Sequence, residues 1–373
     1  MRYHYRCVGH VRRIPRHSPH TAHETDTIVK LDLEGHLVLP GLVNAHDHLE
    51  FNLFPQLGRG PYPNAADWAR DIYHPARSPI REHLRVPKPV RLCWGALKNL
   101  LSGVTTVCHH NPWEPAVFGP DFPVRVLRRF AWAHSLAFET DVAARFRKAP
   151  AGAPFVIHCA EGTDKAARDE LHRLDALGTV DDRTEIVHGV GITPRGIEVM
   201  LRRRAALIWC PTSNLALLGR TVSRAVLRSR IPIALATDSA VSAPVDLLDE
   251  LVLAGNYVPQ DRLWDMVTAA PTQILRLPQC AASDWIAVRS EAMHPAEALR
   301  TGSIALVFSR GRIRLISPEL ARQLAPRERR MLQPLAVERR APVLVDADVG
   351  MLRRIAVKHL GTELRLAGKR LLD

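Results

Sequence analysis

The chain has 373 residues, 46% of them hydrophobic and 24% charged, which allows a large buried core and is too apolar for a disordered polymer. That length exceeds one ordinary domain and suits a barrel of roughly 250 residues with a smaller companion. The formal charge of +13 raises nucleic-acid binding, but only seven of the 51 basic residues are lysine, and arginine is spread widely with local runs at Arg202, Arg203 and Arg204 and at Arg327, Arg329 and Arg330; an arginine-favouring composition explains this more simply than a groove for phosphate.

Residues 1 to about 38 hold short alternating segments and the turn-like LEGH, a small β-rich piece that leads into VLPGLVNAHDHLEF. The start, MRYHYRCVGHVRRIPRH, lacks the apolar core of a signal peptide, and no stretch reaches membrane-span length. Strand-like and helix-like stretches then alternate: VTTVCHH, VRVLRRFAWAHSLAF, PFVIHCAEG, KAARDELHRLDALG, EIVHGVGI, PRGIEVMLRRR, ALIWCPTSN, VSRAVLRSR and IPIALATDS. This alternation predicts βαβ units and a parallel sheet. The last strand candidates recur every 20 to 30 residues or so, the spacing of a β/α barrel. After DRLWDMVTAA the pattern changes, and ASDWIAVR, SIALVFSRGRIRLI and APVLVDADV read as antiparallel strands with a hairpin turn around Ser309–Arg312. The expected fold is α/β: a (β/α)8 TIM-like barrel over residues 39–283, beside a small β-sandwich domain built from both termini, residues 1–38 and 284–373.

Five residues stand out because one pattern repeats. His46 and His48 follow VLPGLVNA, His158 ends PFVIH, His188 ends TEIVH, and Asp238 follows IPIALAT. Each lies at the exit of an apolar strand, where a parallel barrel gathers side chains into one mouth. His46 and His48, two residues apart on a strand, share a face, while Asp47 points away to support the strand. Imidazoles with a carboxylate suit zinc, and iron or manganese would accept the same ligands. The chain holds 18 histidines, so His4, His17, His20 and His23 receive no role. His109, His110 and His134 could line a pocket or pack the core. Phe51, Phe54, Tyr62, Trp68 and Tyr73 could form a lid or pack their own loop. The cysteines, Cys7, Cys93, Cys108, Cys159, Cys210 and Cys280, lie far apart without a CxxC pair, as in a reduced, cytoplasmic protein.

The ordered set PGLVNAHDHL, HCAEG, VHGVGI, CPTSNLAL and ATDSA resembles the strand-end motifs of the amidohydrolase superfamily. The nearest branch is the mononuclear-metal one, with cytosine, guanine and S-adenosylhomocysteine-type deaminases and the triazine chlorohydrolases. The resemblance implies that His46, His48, His158 and Asp238 bind the metal. It also implies that Glu161 shuttles protons, that Asp238 accepts a proton from the attacking water, and that His188 orients or polarises that water, although some members use this histidine as a further ligand. Glu161 also reads as a helix-start charge before KAARDEL. Asn214 and Cys210 belong to a motif tied to loop shape. Binuclear relatives bridge their metals through a modified lysine on a central strand. No lysine fits there, since Lys148 precedes the strand and Lys165 lies in the following helix, so a single ion is expected.

The implied activity is hydrolytic deamination of an amino-substituted nitrogen heterocycle. Hydrolysis of a cyclic amide or of a carbon–halogen bond at the same site is the alternative, and a catalytically inactive, basic nucleic-acid-binding protein is the remote one. The expected partner is a small heterocyclic substrate rather than a membrane or nucleic acid, and homo-oligomers are common among such barrels.

Overall fold

A computed structural model describes residues 9–11, 29–277 and 284–372. His4, His17, His20, His23, Cys7 and Cys280 lie outside the described residues. The apolar runs fold into eight strands: β1 (Leu42–Asp47), β2 (Val104–His109), β3 (Arg125–Val126), β4 (Ala131–Ala133), β5 (Phe155–Cys159), β6 (Thr184–His188), β7 (Ala206–Trp209) and β8 (Ile233–Leu235). They pair in parallel with chain neighbours, as one sheet of β1 to β3 and another of β4 to β8. Past the end of β8, Asp238 forms a parallel bridge with Asp47, and its amide donates to the His46 carbonyl at 3.2 Å, joining the last strand to the first. Among the described residues no ladder joins β3 to β4. Arg128 and Arg129, between these two strands, face water.

These strands are rich in apolar residues because both faces are covered. Alternate residues separate the two sides. Val43, Ala45, Cys108, Val156, Val187, Ile208 and Ala234 form one small apolar cluster. Leu42, Val107, Phe155, Ile157, Ile186, Leu207 and Leu235 join the larger core with helical residues such as Leu92, Trp94, Leu97 and Leu100. The functional strand ends emerge from the smaller cluster.

Residues His36–Pro40 pair antiparallel with Trp285–Arg289, and the sheet continues through Ser303–Ser309, Arg312–Ile316, Val343–Val345, Gln333–Val337, Lys369–Leu372 and Arg365–Leu366. The N-terminal segment thus joins the C-terminal one in a single eight-stranded antiparallel sheet. Arg310 and Gly311 turn the expected hairpin with φ of 53° and 74°, the left-handed pair that a two-residue turn needs.

An ion-pair cluster ties this sheet to the parallel part. Asp246 caps the helix Leu247–Ala254 by accepting from the amides of Leu248 and Asp249 at 3.0 and 3.2 Å. Arg340 reaches both Asp246 carboxylate oxygens at 2.7 Å, and Lys369 lies 3.2 Å away. Burial alone would raise the Asp246 carboxyl, but the charges of Lys369 and Arg340 outweigh it and hold the group below the usual aspartate range. A depressed folded value stabilises the fold above the unfolded pKa of about 3.9, and the benefit is lost as pH falls through the folded value. Arg340→Met is therefore expected to cost about 3 kcal/mol at pH 7. The gap from wild type should narrow below about pH 4, as urea unfolding at both pH values would show.

Candidate metal centre

One ligand atom from each of His46, His158, His188 and Asp238 lies within 4.8 Å of the others, and all four residues are buried. His46 Nε2 faces His158 Nε2 at 3.2 Å, and His46 Nε2 and His48 Nε2 each stand 3.5 Å from Asp238 Oδ1. His48 therefore shares the carboxylate without joining the tightest set, whereas His188 does join it.

Local backbone explains how these side chains converge. His158 lies two residues after Val156 and keeps to its face of the strand. His188 directly follows the inward Val187, so strict alternation would turn it away. Its φ of 73° re-aims it, and Asp238 has a φ of 58°. Left-handed backbone at non-glycine residues is uncommon and gathers at functional sites. On β1 the register with β2 shifts between Asn44 and Asp47, which accommodates the two imidazoles.

Neighbouring groups set the tautomers. His158 Nδ1 donates to the His134 carbonyl at 3.0 Å, and His188 Nδ1 donates to Asn214 Oδ1 at 2.9 Å. Both Nε2 atoms consequently present lone pairs to the centre. Burial pushes the His46 imidazole down to about 4 despite its bond to Asp238, and burial also lowers His158 and His188, so all three are neutral at pH 7. Burial would raise the Asp238 carboxyl, but the His46 hydrogen bond and the surrounding imidazoles hold it well below the aspartate range. Converging lone pairs and an ionised carboxylate fit a divalent cation such as zinc.

Glu161 stands behind His188, with Oε1 3.5 Å from His188 Nε2. Burial, then the charges of Asp238 and Glu170, raise its carboxyl well above the glutamate range, so it can carry a proton. His48, His158, His188, Asp238 and Glu161 open into a cavity of about 580 Å³ also lined by Phe51, Trp68, Tyr73, His134 and Phe138. The helix Ala65–Ile72 covers it. Its first amide, Ala65, donates to the Glu161 carbonyl at 3.0 Å, and Asn64 bridges Gly162, so the cover is fastened to the loop that carries Glu161. Of the aromatics with two readings, Phe51, Trp68 and Tyr73 face the cavity. Phe54 packs with Ile80 and Val241, and Tyr62 bonds Asp71. His109 turns to Glu50 at 3.5 Å, while His110 lies with its ring centroid 4.5 Å from that of His158.

Sequence reasoning missed several positioning groups. Asn214, set aside as loop-shaping, holds His188. Ser213 and Ser242 donate to Asp238 Oδ2 at 2.7 and 2.6 Å. Asp47, pointing away from the centre as expected, accepts from Asn52 at 2.9 Å, from Asn99 at 2.7 Å and from the ammonium of Lys98 at 2.8 Å. Lys98 also bonds Thr237 at 2.9 Å, beside Asp238. Lys98→Met would leave the Asp47 charge buried without its counter-ion and should cost about 3–5 kcal/mol. The Lys98→Met/Asp47→Asn double variant should lose clearly less than the two single losses combined, as a denaturation cycle would measure.

No protein-family model matches the chain. It is 25% identical over 295 residues to the 5'-deoxyadenosine deaminase of Methanothrix thermoacetophila, covering 64% of this chain and 69% of that protein. It is 26% identical over 274 residues to the 5-methylthioadenosine/S-adenosylhomocysteine deaminase of Natronomonas pharaonis, covering 59% of this chain and 62% of that protein. An adenosine deaminase from Xanthomonas campestris with bound zinc superposes with a TM-score of 0.59 at 18% identity, over 87% of this chain and 85% of that one. Atrazine chlorohydrolase from Arthrobacter aurescens complexed with zinc gives 0.60 at 17% identity, over 75% of this chain and 83% of that one. These two structures share the fold.

Proposed function

We propose that the protein is a metal-dependent hydrolase of the amidohydrolase type that deaminates an amino-substituted nitrogen heterocycle and releases ammonia. The observation that carries this reading is the His–Asp donor cluster, on the wall of a cavity, with a proton-bearing glutamate beside it. The deaminase relatives agree with it. The eight parallel strands, with the Asp47–Asp238 seam, read as a (β/α)8 barrel over residues 39–283, and the antiparallel sheet as its smaller β companion.

His46, His48, His158 and Asp238 would hold one ion, zinc by analogy with the zinc-bound structural neighbours. His188 faces both the cluster and Glu161. The sequence of β4, AWA followed by His134, offers no lysine to bridge a second ion. When bound, a divalent ion supplies Lewis acidity that brings the pKa of water toward about 7. Asp238 takes the proton of the attacking water. Glu161 delivers its proton to the ring nitrogen beside the reacting carbon, and its carboxylate then relays the Asp238 proton to the departing amine, which leaves as ammonia. Phe51, Trp68 and Tyr73 supply flat apolar surface against which a heterocycle can lie, and they exclude water around it.

The test is ammonia release by the zinc-loaded protein from a panel of aminopurines, adenine nucleosides, aminopyrimidines and aminotriazines, with metal content measured on the same sample. Turnover of at least one amine, lost on chelation and restored by zinc, is expected. Silence on every amine with turnover of cyclic amides or chlorotriazines would reverse the assignment of the bond.

A further inference from the structure

Arg204, the last of the 202–204 run, and one buried glutamate take no part in the chemistry above, and they line one cavity at the opposite end of the parallel strands. A cavity of about 470 Å³ opens beside the first residues of β6, β7 and β8, a size typical of small-ligand pockets. Glu185 lines it and is 1% exposed, and its Oε2 has no hydrogen-bond partner. A buried carboxyl oxygen without a partner is costly and calls for a hydrogen-bonding group. Burial, with Asp181 and Asp182 nearby, holds this group above the glutamate range against the pull of Arg276.

Arg204 and Arg230 also line the cavity. Both are exposed, and among the described residues neither has an ion-pair partner. Their neighbours differ: Arg202 and Arg203 both pair with Asp175, at 3.2 and 2.7 Å. Arg276 is fixed by the carbonyls of Gly152 and Asp182, both at 2.8 Å. Ile231 and Ile274 add apolar wall.

We propose that this cavity is a second ligand site, for a phosphorylated small molecule of mononucleotide size whose phosphate meets Arg204 and Arg230 and whose base hydrogen-bonds Glu185. Two unpaired guanidiniums suit a dianion, and the apolar wall suits a planar base.

The probe is adenosine 5'-monophosphate titrated calorimetrically into the metal-loaded full chain, with inorganic phosphate as the partial ligand. Binding of the nucleotide is expected to weaken by about tenfold or more in Arg204→Ala/Arg230→Ala, since charge-assisted bonds are lost. Glu185→Leu, which removes both hydrogen-bonding atoms, should weaken the nucleotide but not inorganic phosphate. Both variants lie away from the metal cluster and should keep wild-type turnover. No nucleotide binding up to about 10 mM, at the weak end of measurable affinity, would overturn the proposal. So would binding that is undiminished in the arginine variant, because the nucleotide would then sit elsewhere. Equal loss of nucleotide and phosphate in Glu185→Leu would overturn the contact to the base.

Discussion

His158→Ala is expected to strip the protein of its ion and of turnover together. The imidazole faces His46 Nε2 at 3.2 Å and is fixed by the His134 carbonyl, so alanine there removes one of the converging lone pairs outright. Loss of the ion removes several kcal/mol of charge stabilisation, so turnover should fall by at least ~10³-fold. Metal analysis of the purified variant should show well under one equivalent, and added zinc should not restore activity at concentrations that saturate wild type. Asn214→Ala is the graded companion. It leaves every donor in place but frees His188 to rotate, and such outer contacts are worth roughly 10–100-fold in metal affinity or activity. A His158→Ala protein that kept full metal and full turnover would move the ion to a different set of donors.

The groups that meet at this centre were legible in the sequence to the extent that strand ends are. A short apolar run ending in histidine or aspartate, repeated in order, is a local signal, and four of the five residues it singles out, His46, His158, His188 and Asp238, lie within 4.8 Å of one another in the structure, with His48 outside that tightest set. Which imidazoles stand closest was not legible. That depends on the left-handed φ of 73° at His188 and on the register shift in β1, backbone details that carry no residue-type signature when the residue is not glycine. Ser213 and Ser242 were equally silent, because a serine after a strand reads as a turn residue until its hydroxyl is seen on Asp238 Oδ2. Lys98 was hidden for a different reason. It lies in a run of the helix, Trp94 to Leu101, that is buried throughout, and only the tertiary approach of Asp47 gives a charge there a partner. The antiparallel sheet followed from alternating β-branched runs, yet the pairing of 36–40 with 285–289 spans most of the chain and no local pattern specifies it.

Glu161→Gln should separate chemistry from metal binding. The amide keeps the size of the carboxyl and cannot carry a titrating proton, so kcat is expected to drop by ~10³-fold, within the range for a lost general acid and base. The metal content should stay at the wild-type level, because Glu161 contacts the centre only through His188, at 3.5 Å. Stability supplies an independent readout. Burial and the nearby carboxylates raise the Glu161 carboxyl above its unfolded value, so the folded state binds a proton more tightly than the unfolded one. Folding then becomes less favourable as pH rises from the unfolded pKa of about 4.3 toward the folded value. Metal-free Glu161→Gln should therefore unfold at a higher temperature than metal-free wild type at pH 8, and the advantage should shrink toward pH 4–5. A costly buried acid kept for its proton is what the catalytic role of Glu161 requires. A helix-start charge predicts the reverse pair of results: kcat within about tenfold of wild type and no gain in stability at high pH.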